Sequence, residues 1–118
     1  MNARKSDRDP TDLLPLSAAM FHVLVALADD DRHGYAIMQE VLELTGGRMR
    51  LSPGTLYGAI QRMLAQGLIE EVRSNGADDR RRTYRTTTFG RRAAVAETDR
   101  LRQLLASARD AGFILKRS

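Results

Sequence analysis

The sequence predicts a mainly α fold with a two-stranded β-hairpin, in the order three helices, hairpin, and one longer last helix. Two observations carry that prediction. Apolar residues recur at helical spacing in three stretches up to residue 64 and again from residue 93. Between them, two segments rich in β-formers, 68–73 and 82–87, flank the polar turn Ser74-Asn75-Gly76-Ala77-Asp78-Asp79. A length of 118 residues suits a single core.

The first helix is signalled by Ser17 as N-cap, followed by Ala18, Ala19, Met20, Phe21, Val23, Leu24, Val25, Leu27 and Ala28, and Asp29-Asp30-Asp31 ends it. It is apolar nearly all the way round, which implies burial on two sides. After Arg32-His33-Gly34 a second helix is expected from about Tyr35 to Leu44, carrying Ile37, Met38, Val41 and Leu42 and stopped by Thr45-Gly46-Gly47. The connector Arg48-Met49-Arg50-Leu51 leads into Ser52-Pro53, an N-cap followed by proline at the first helical position. The third helix therefore starts at Pro53, buries Leu56, Ala59, Ile60, Met63 and Leu64, and ends at Gln66-Gly67, where glycine can take the left-handed cap conformation. The last helix is expected from Thr87-Thr88 to about Ala111, with a narrow apolar stripe reaching Leu101, Leu104, Leu105 and Ala108.

This is the element order of a winged helix-turn-helix, in which the third helix enters the DNA major groove and the hairpin is the wing. So small a domain has little material to cover both the two-sided first helix and the far half of the last one. Dimerisation through those helices would cover both, with Phe21, His22, Val25, Leu101, Leu104, Leu105 and Ala108 at the interface or around an effector pocket within it. The expected organisation is a flexible N-terminal arm over 1–13, a winged helix-turn-helix DNA-binding domain over 14–87, a C-terminal dimerisation helix over 88–111 and a flexible tail over 112–118.

Composition narrows the function. The absence of cysteine removes disulfides, thiolate metal sites and thiol nucleophiles and fits a reducing compartment, so the cytoplasm is expected. The longest apolar stretch, 18–28, is far short of the roughly 20 residues that cross a bilayer, and no membrane association is expected. The net charge of +4 is unevenly spread. Residues 48–92 hold ten arginines against Glu70, Glu71, Asp78 and Asp79, a balance of +6, which leaves −2 for the rest. All basic residues but Lys5 and Lys116 are arginine, whose planar fork suits phosphate and guanine edges. A GC-rich genome would also enrich arginine, but would not cluster it.

With Leu56, Ile60 and Met63 inward, the third helix turns Gly54, Gly58, Gln61, Arg62 and Ala65 outward and leaves Thr55 and Tyr57 on its flanks. Surface glycines cost a helix about 1 kcal/mol each relative to alanine and ask for a reason. Either the helix backbone closely approaches a groove floor, or Gly54 and Gly58 relieve crowding inside the domain. In the first case Gln61 suits adenine, Arg62 guanine or phosphate, Thr55 phosphate or a thymine methyl, and the Tyr57 hydroxyl phosphate. Tyr57 reads equally as a core aromatic with its hydroxyl at the rim. Arg50 and Ser52 precede this face. Arg80-Arg81-Arg82, with Arg73 and Arg85 on the strands, either grips phosphates beside a minor groove or is a solvated tip balanced by Asp78 and Asp79.

His22 and His33 have no partner at metal-ligand spacing, so no metal site is expected. His22 lies opposite the core face of its helix and reads as a hydrogen-bonded interface histidine; His33 reads as helping to start the second helix. No nucleophile elbow, phosphate loop or carboxylate pair stands out, and neither catalytic residues nor a cofactor are expected.

Several motifs together carry a family resemblance: Phe21-His22-Val23-Leu24 with Ala26-Leu27, Arg32-His33-Gly34-Tyr35-Ala36-Ile37, Ser52-Pro53-Gly54-Thr55-Leu56-Tyr57-Gly58-Ala59-Ile60, Leu68-Ile69, Asp79-Arg80-Arg81-Arg82 and Gly90-Arg91-Arg92. Over about residues 14–108 the chain resembles the PadR family of regulators, in its short subfamily with a single C-terminal helix. The resemblance implies a homodimeric repressor that exchanges its last helix across the dimer and binds double-stranded DNA at an inverted-repeat operator. It implies that residues 52–62 enter the major groove and that residues 77–82 contact the backbone. It also implies, as in some relatives, a small aromatic or cationic effector at the dimer centre, between the helices over 17–28 and 88–108. The chain departs from the family at Tyr84-Arg85-Thr86-Thr87-Thr88, which lacks a second aromatic, and in having no tryptophan on the last helix to stack on an effector. The alternative function is a winged-helix ligand-sensing or protein-binding adaptor without specific DNA readout.

Overall fold

A computed structural model of the chain describes residues 8–72 and 81–114. Four helices, α1 (Ala18–Ala26), α2 (Gly34–Leu44), α3 (Pro53–Ala65) and α4 (Thr88–Asp110), surround a small antiparallel sheet of β1 (Arg32–His33), β2 (Ile69–Val72) and β3 (Thr83–Thr86) in the order β1-β3-β2. This is a winged-helix domain with a long C-terminal helix. The tip of the hairpin, with Arg73, the predicted turn and Arg80, lies outside the described residues.

The helix starts follow local capping chemistry. Ser17, Ser52 and Thr87 each accept a backbone N–H two or three residues into their helix, and His33 does the same for α2 through Nδ1, which accepts from Ala36 N–H at 3.2 Å. The α3 helix stops at Gly67, whose φ of +77° suits glycine. Two elements escape the sequence pattern. β1 is only two residues, pairing Arg32 with Tyr84 and His33 with Thr83. Pro10–Leu13 forms a turn of 3-10 helix, capped by the Asp9 carboxylate, with Pro10 buried; it packs against α4 in a region expected as a free arm. Proline fixes φ at the first position of the turn, and its ring buries apolar surface. Arg8 strengthens the attachment, its guanidinium lying 4.2 Å above the Phe89 ring while Nη2 donates to the Gln66 carbonyl.

One core joins the elements. Val23, Leu24 and Ala26 of α1, Ile37 and Val41 of α2, Leu56, Ile60 and Met63 of α3, Leu68 and Ile69, Tyr84, and Phe89 and Ala93 of α4 are all buried. The start of α4 is fastened directly to the end of α3. Thr87 N–H donates to the Leu68 carbonyl at 3.1 Å, the Thr87 hydroxyl donates to the Gly67 carbonyl, and Gly90 N–H returns a bond to Thr87 Oγ1 at 2.9 Å. A side chain at position 90 would put its Cβ 1.9 Å from the Leu68 carbonyl oxygen, so glycine is required by close backbone approach. Further along α4, Glu97 is buried and forms a bidentate pair with Arg100 at 2.7 and 2.9 Å. The Arg100 hydrogen bonds hold its carboxyl below the usual glutamate range against the opposing effect of burial, aided by the Arg100 charge and the Leu16 amide.

Burial along α4 is confined to its first half, where Phe89, Gly90, Ala93 and Glu97 face the domain. Beyond residue 100 the helix stands clear: Leu101, Leu104 and Leu105 are exposed, and Ala108 is half-buried. On α1, Val25 is exposed, and Phe21 and His22 are half-buried, Phe21 packing on the core and His22 Nδ1 lying 2.7 Å from the Ala18 carbonyl.

Candidate nucleic-acid interface

The α3 helix divides as its apolar spacing requires. Leu56, Ala59, Ile60 and Met63 are buried, whereas Ser52, Gly54, Thr55, Tyr57, Gly58, Gln61, Arg62 and Ala65 are all exposed. Among the described residues no atom lies within 4 Å of where a Cβ on Gly54 or Gly58 would sit, beyond the helix itself and the chain neighbours, so neither glycine relieves crowding against them. Neither has a positive φ, so backbone freedom does not explain them either. What they do is lower the helix surface to its backbone along one strip, with Gln61 and Arg62 beside it. Ser52 is occupied with capping: its hydroxyl accepts from Thr55 N–H at 3.1 Å and lies 3.0 Å from Thr55 Oγ1. Arg50 is exposed on the connector just before this face.

Tyr57 is 49% exposed and is not a core residue. Its ring lies over the first residue of α2, Gly34, and beside it opens a small cavity of about 170 Å³ lined by His33, Tyr35, Arg81, Arg82 and Tyr84. The base of the wing therefore converges with the start of α2 and the flank of α3. Arg81 and Arg82 are exposed there; Arg82 pairs with Glu71 at 3.3 Å, a solvated contact of little energetic consequence. Arg80 lies outside the described residues, as does Arg73. Arg85 departs from expectation. It is committed to Asp31 through two hydrogen bonds of 3.2 and 2.8 Å, which tie β3 to the acidic turn after α1. Asp31 draws it because β1 brings that turn alongside β3, a juxtaposition 54 residues apart in sequence. Gly34 stands in a family motif, but its packing against Tyr57 depends on the tertiary approach of α2 and α3 and is not visible in the sequence.

Among the described residues no group of three or more His, Asp or Glu side chains could hold a metal ion. No helix among them is long and apolar enough to cross a membrane.

Comparison with known proteins bears on this arrangement. The sequence profile of the transcriptional regulator PadR-like family matches residues 23–96, from α1 through the wing to the first half of α4. The chain is 35% identical over 88 residues to the transcriptional regulator Rv3488 of Mycobacterium tuberculosis, covering 75% of this chain and 79% of that one. It is 37% identical over 86 residues to an uncharacterized 37.1 kDa protein in a transposon of Streptomyces fradiae, where the match covers 73% of this chain and only 24% of the other. Among solved structures, a PadR family transcription regulator from a hypervirulent Clostridium difficile superposes with a TM-score of 0.71 at 25% identity, over 80% of this chain and 97% of the other. Sequence profile, relatives and fold agree, and this chain belongs to the PadR-like family of transcriptional regulators.

Proposed function

We propose that this chain is a homodimeric, sequence-specific DNA-binding repressor that recognises an inverted-repeat operator and responds to a small-molecule effector. The observation that carries the reading is the outward face of α3. A strip bare of side chains at Gly54 and Gly58, flanked by Gln61 and Arg62, suits a helix whose backbone comes close to base edges. Thr55, Tyr57, Arg50 and Ser52 at its start, and Arg80, Arg81 and Arg82 in the wing, supply backbone-phosphate contacts that fix register.

The dimer is supported by what the single chain leaves uncovered. Leu101, Leu104 and Leu105 follow the spacing of one helical face on a part of α4 where nearly every described residue is exposed, and Val25 is exposed on α1. A two-fold dimer places two recognition helices on one face of the duplex, which is why an inverted repeat is the matching operator. The effector reading rests on the family; the open groove of about 870 Å³ along α4, apolar at Ala94 and Val95 and edged by Arg91, Arg102 and Asp99, shares no residue with the pocket expected around Phe21, His22, Val25, Leu101, Leu104, Leu105 and Ala108. Repression and a cytoplasmic setting accord with the family.

Footprinting the purified chain on DNA upstream of its own gene tests the reading. The expected result is protection of two half-sites related by dyad symmetry, with centres about 10 base pairs or a multiple apart. A protein that protects no upstream site, yet binds a small molecule or another protein, is instead an adaptor on the same fold.

A further inference from the structure

Gly34 opens α2 in ordinary helical conformation, without a positive φ, at a buried position where alanine is the stronger helix former. Neither backbone freedom nor helix propensity explains glycine there. Its surroundings do. A Cβ at position 34 would sit 2.7 Å from the Tyr57 hydroxyl oxygen, 3.1 Å from Cζ and 3.3 Å from Cε1. The outer end of the tyrosine ring rests on the bare backbone of residue 34, and no smaller residue exists to make that room. The obstructed atoms belong to the far end of a side chain, not to the backbone. An added methyl would therefore turn Tyr57 away while leaving the helices where they are.

We propose that Gly34 is a positioning residue for DNA binding: by lacking a side chain it lets the Tyr57 ring lie against the start of α2 and holds the hydroxyl between α3 and the base of the wing. There Tyr57 lines the same cavity as Arg81 and Tyr35, where a backbone phosphate is contacted from both recognition helix and wing. The inference rests on the proposed function, and specifically on Tyr57 as a phosphate contact.

The test is a mutant cycle of Gly34→Ala and Tyr57→Ala, with Tyr57→Phe alongside, read by binding to a random-sequence duplex at low salt, where backbone contacts dominate. Gly34→Ala is expected to weaken binding about tenfold, the scale of one hydrogen bond to a charged group, with an unchanged or higher Tm. Tyr57→Phe should lose a similar factor, and Gly34→Ala should add nothing in the Tyr57→Ala background. In the free protein, Gly34→Ala should shift the Tyr57 ring resonances. An equal loss from Gly34→Ala with and without Tyr57, or an unshifted ring, overturns the positioning role. Wild-type affinity in Tyr57→Ala and Tyr57→Phe, with weakened wing variants, overturns it too while leaving the proposed function standing. A wild-type chain that binds no duplex overturns the proposed function itself.

Discussion

Gly54 and Gly58 on α3 and Gly90 on α4 look alike in the sequence, yet their surroundings are opposite. A side chain at position 90 would collide with the Leu68 backbone, whereas one at 54 or 58 would meet nothing. All three are in helices without positive φ, so conformational freedom is not the distinction. Gly90 is there for the domain, because α4 is fastened at that point to the end of α3. The α3 glycines serve nothing within the described residues of the domain, and the open strip they leave is the surface that the proposed function requires. On that proposal, one region is built for folding and the other for a partner.

Substitutions can break this comparison. The largest effect is expected at the joint: Gly90→Ala should lower stability by about 3 kcal/mol or more, because backbone atoms must move, and the loss is measurable by denaturant unfolding. Next, Leu104→Asp with Leu105→Asp should convert a dimer to a monomer in sedimentation equilibrium, since each buried leucine contributes about 2 kcal/mol and a buried carboxylate opposes association. A dimer that survives both changes would place the interface elsewhere. Arg81→Ala with Arg82→Ala should weaken binding to all duplexes alike and reduce the slope of log K against log salt by about 0.9 per lost phosphate contact. Gln61→Ala should instead lower preference at particular bases. Gly58→Ala should move two quantities in opposite directions, raising stability by up to about 1 kcal/mol while lowering affinity for DNA. If it destabilises the chain as Gly90→Ala does, the contrast between the two regions is wrong.

The smallest effect concerns pH. Glu97 has its carboxyl held below the ordinary value of 4.5, chiefly by Arg100, so its stabilisation is complete above that value and is lost as pH falls through the lowered one. Glu97→Gln should flatten this part of the stability profile below about pH 4.5, as thermal melts across acid pH would show.

The legible parts of this fold in the sequence are those set by neighbours in the chain. Ser52-Pro53 and Gly67 bound α3 because caps act over three or four residues, and the exposed set on that helix follows from the spacing of Leu56, Ile60 and Met63. What stayed hidden is non-local. β1 is too short for any alternation to register, and it forms because Tyr84 and Thr83 lie beside it. Arg85 looked like another wing arginine until the fold set Asp31 against it. Glu97 and Arg100 carry no mark of a buried pair in their spacing, and it is the packing of α4 near Leu16 that buries the carboxylate. Gly34 is legible as part of a family motif but its packing role is not, because its reason for being glycine is a tyrosine on another helix.

The most direct test of the central claim is binding of the purified chain to a labelled fragment of its own upstream DNA against a shuffled fragment, at two salt concentrations. A sequence-specific dimer should prefer the native fragment, keep that preference at the higher salt and bind with two chains per site. Weak binding, equal on both fragments and abolished by salt, would contradict it, because the open face of α3 would then read no sequence and only the charge of the arginines would remain.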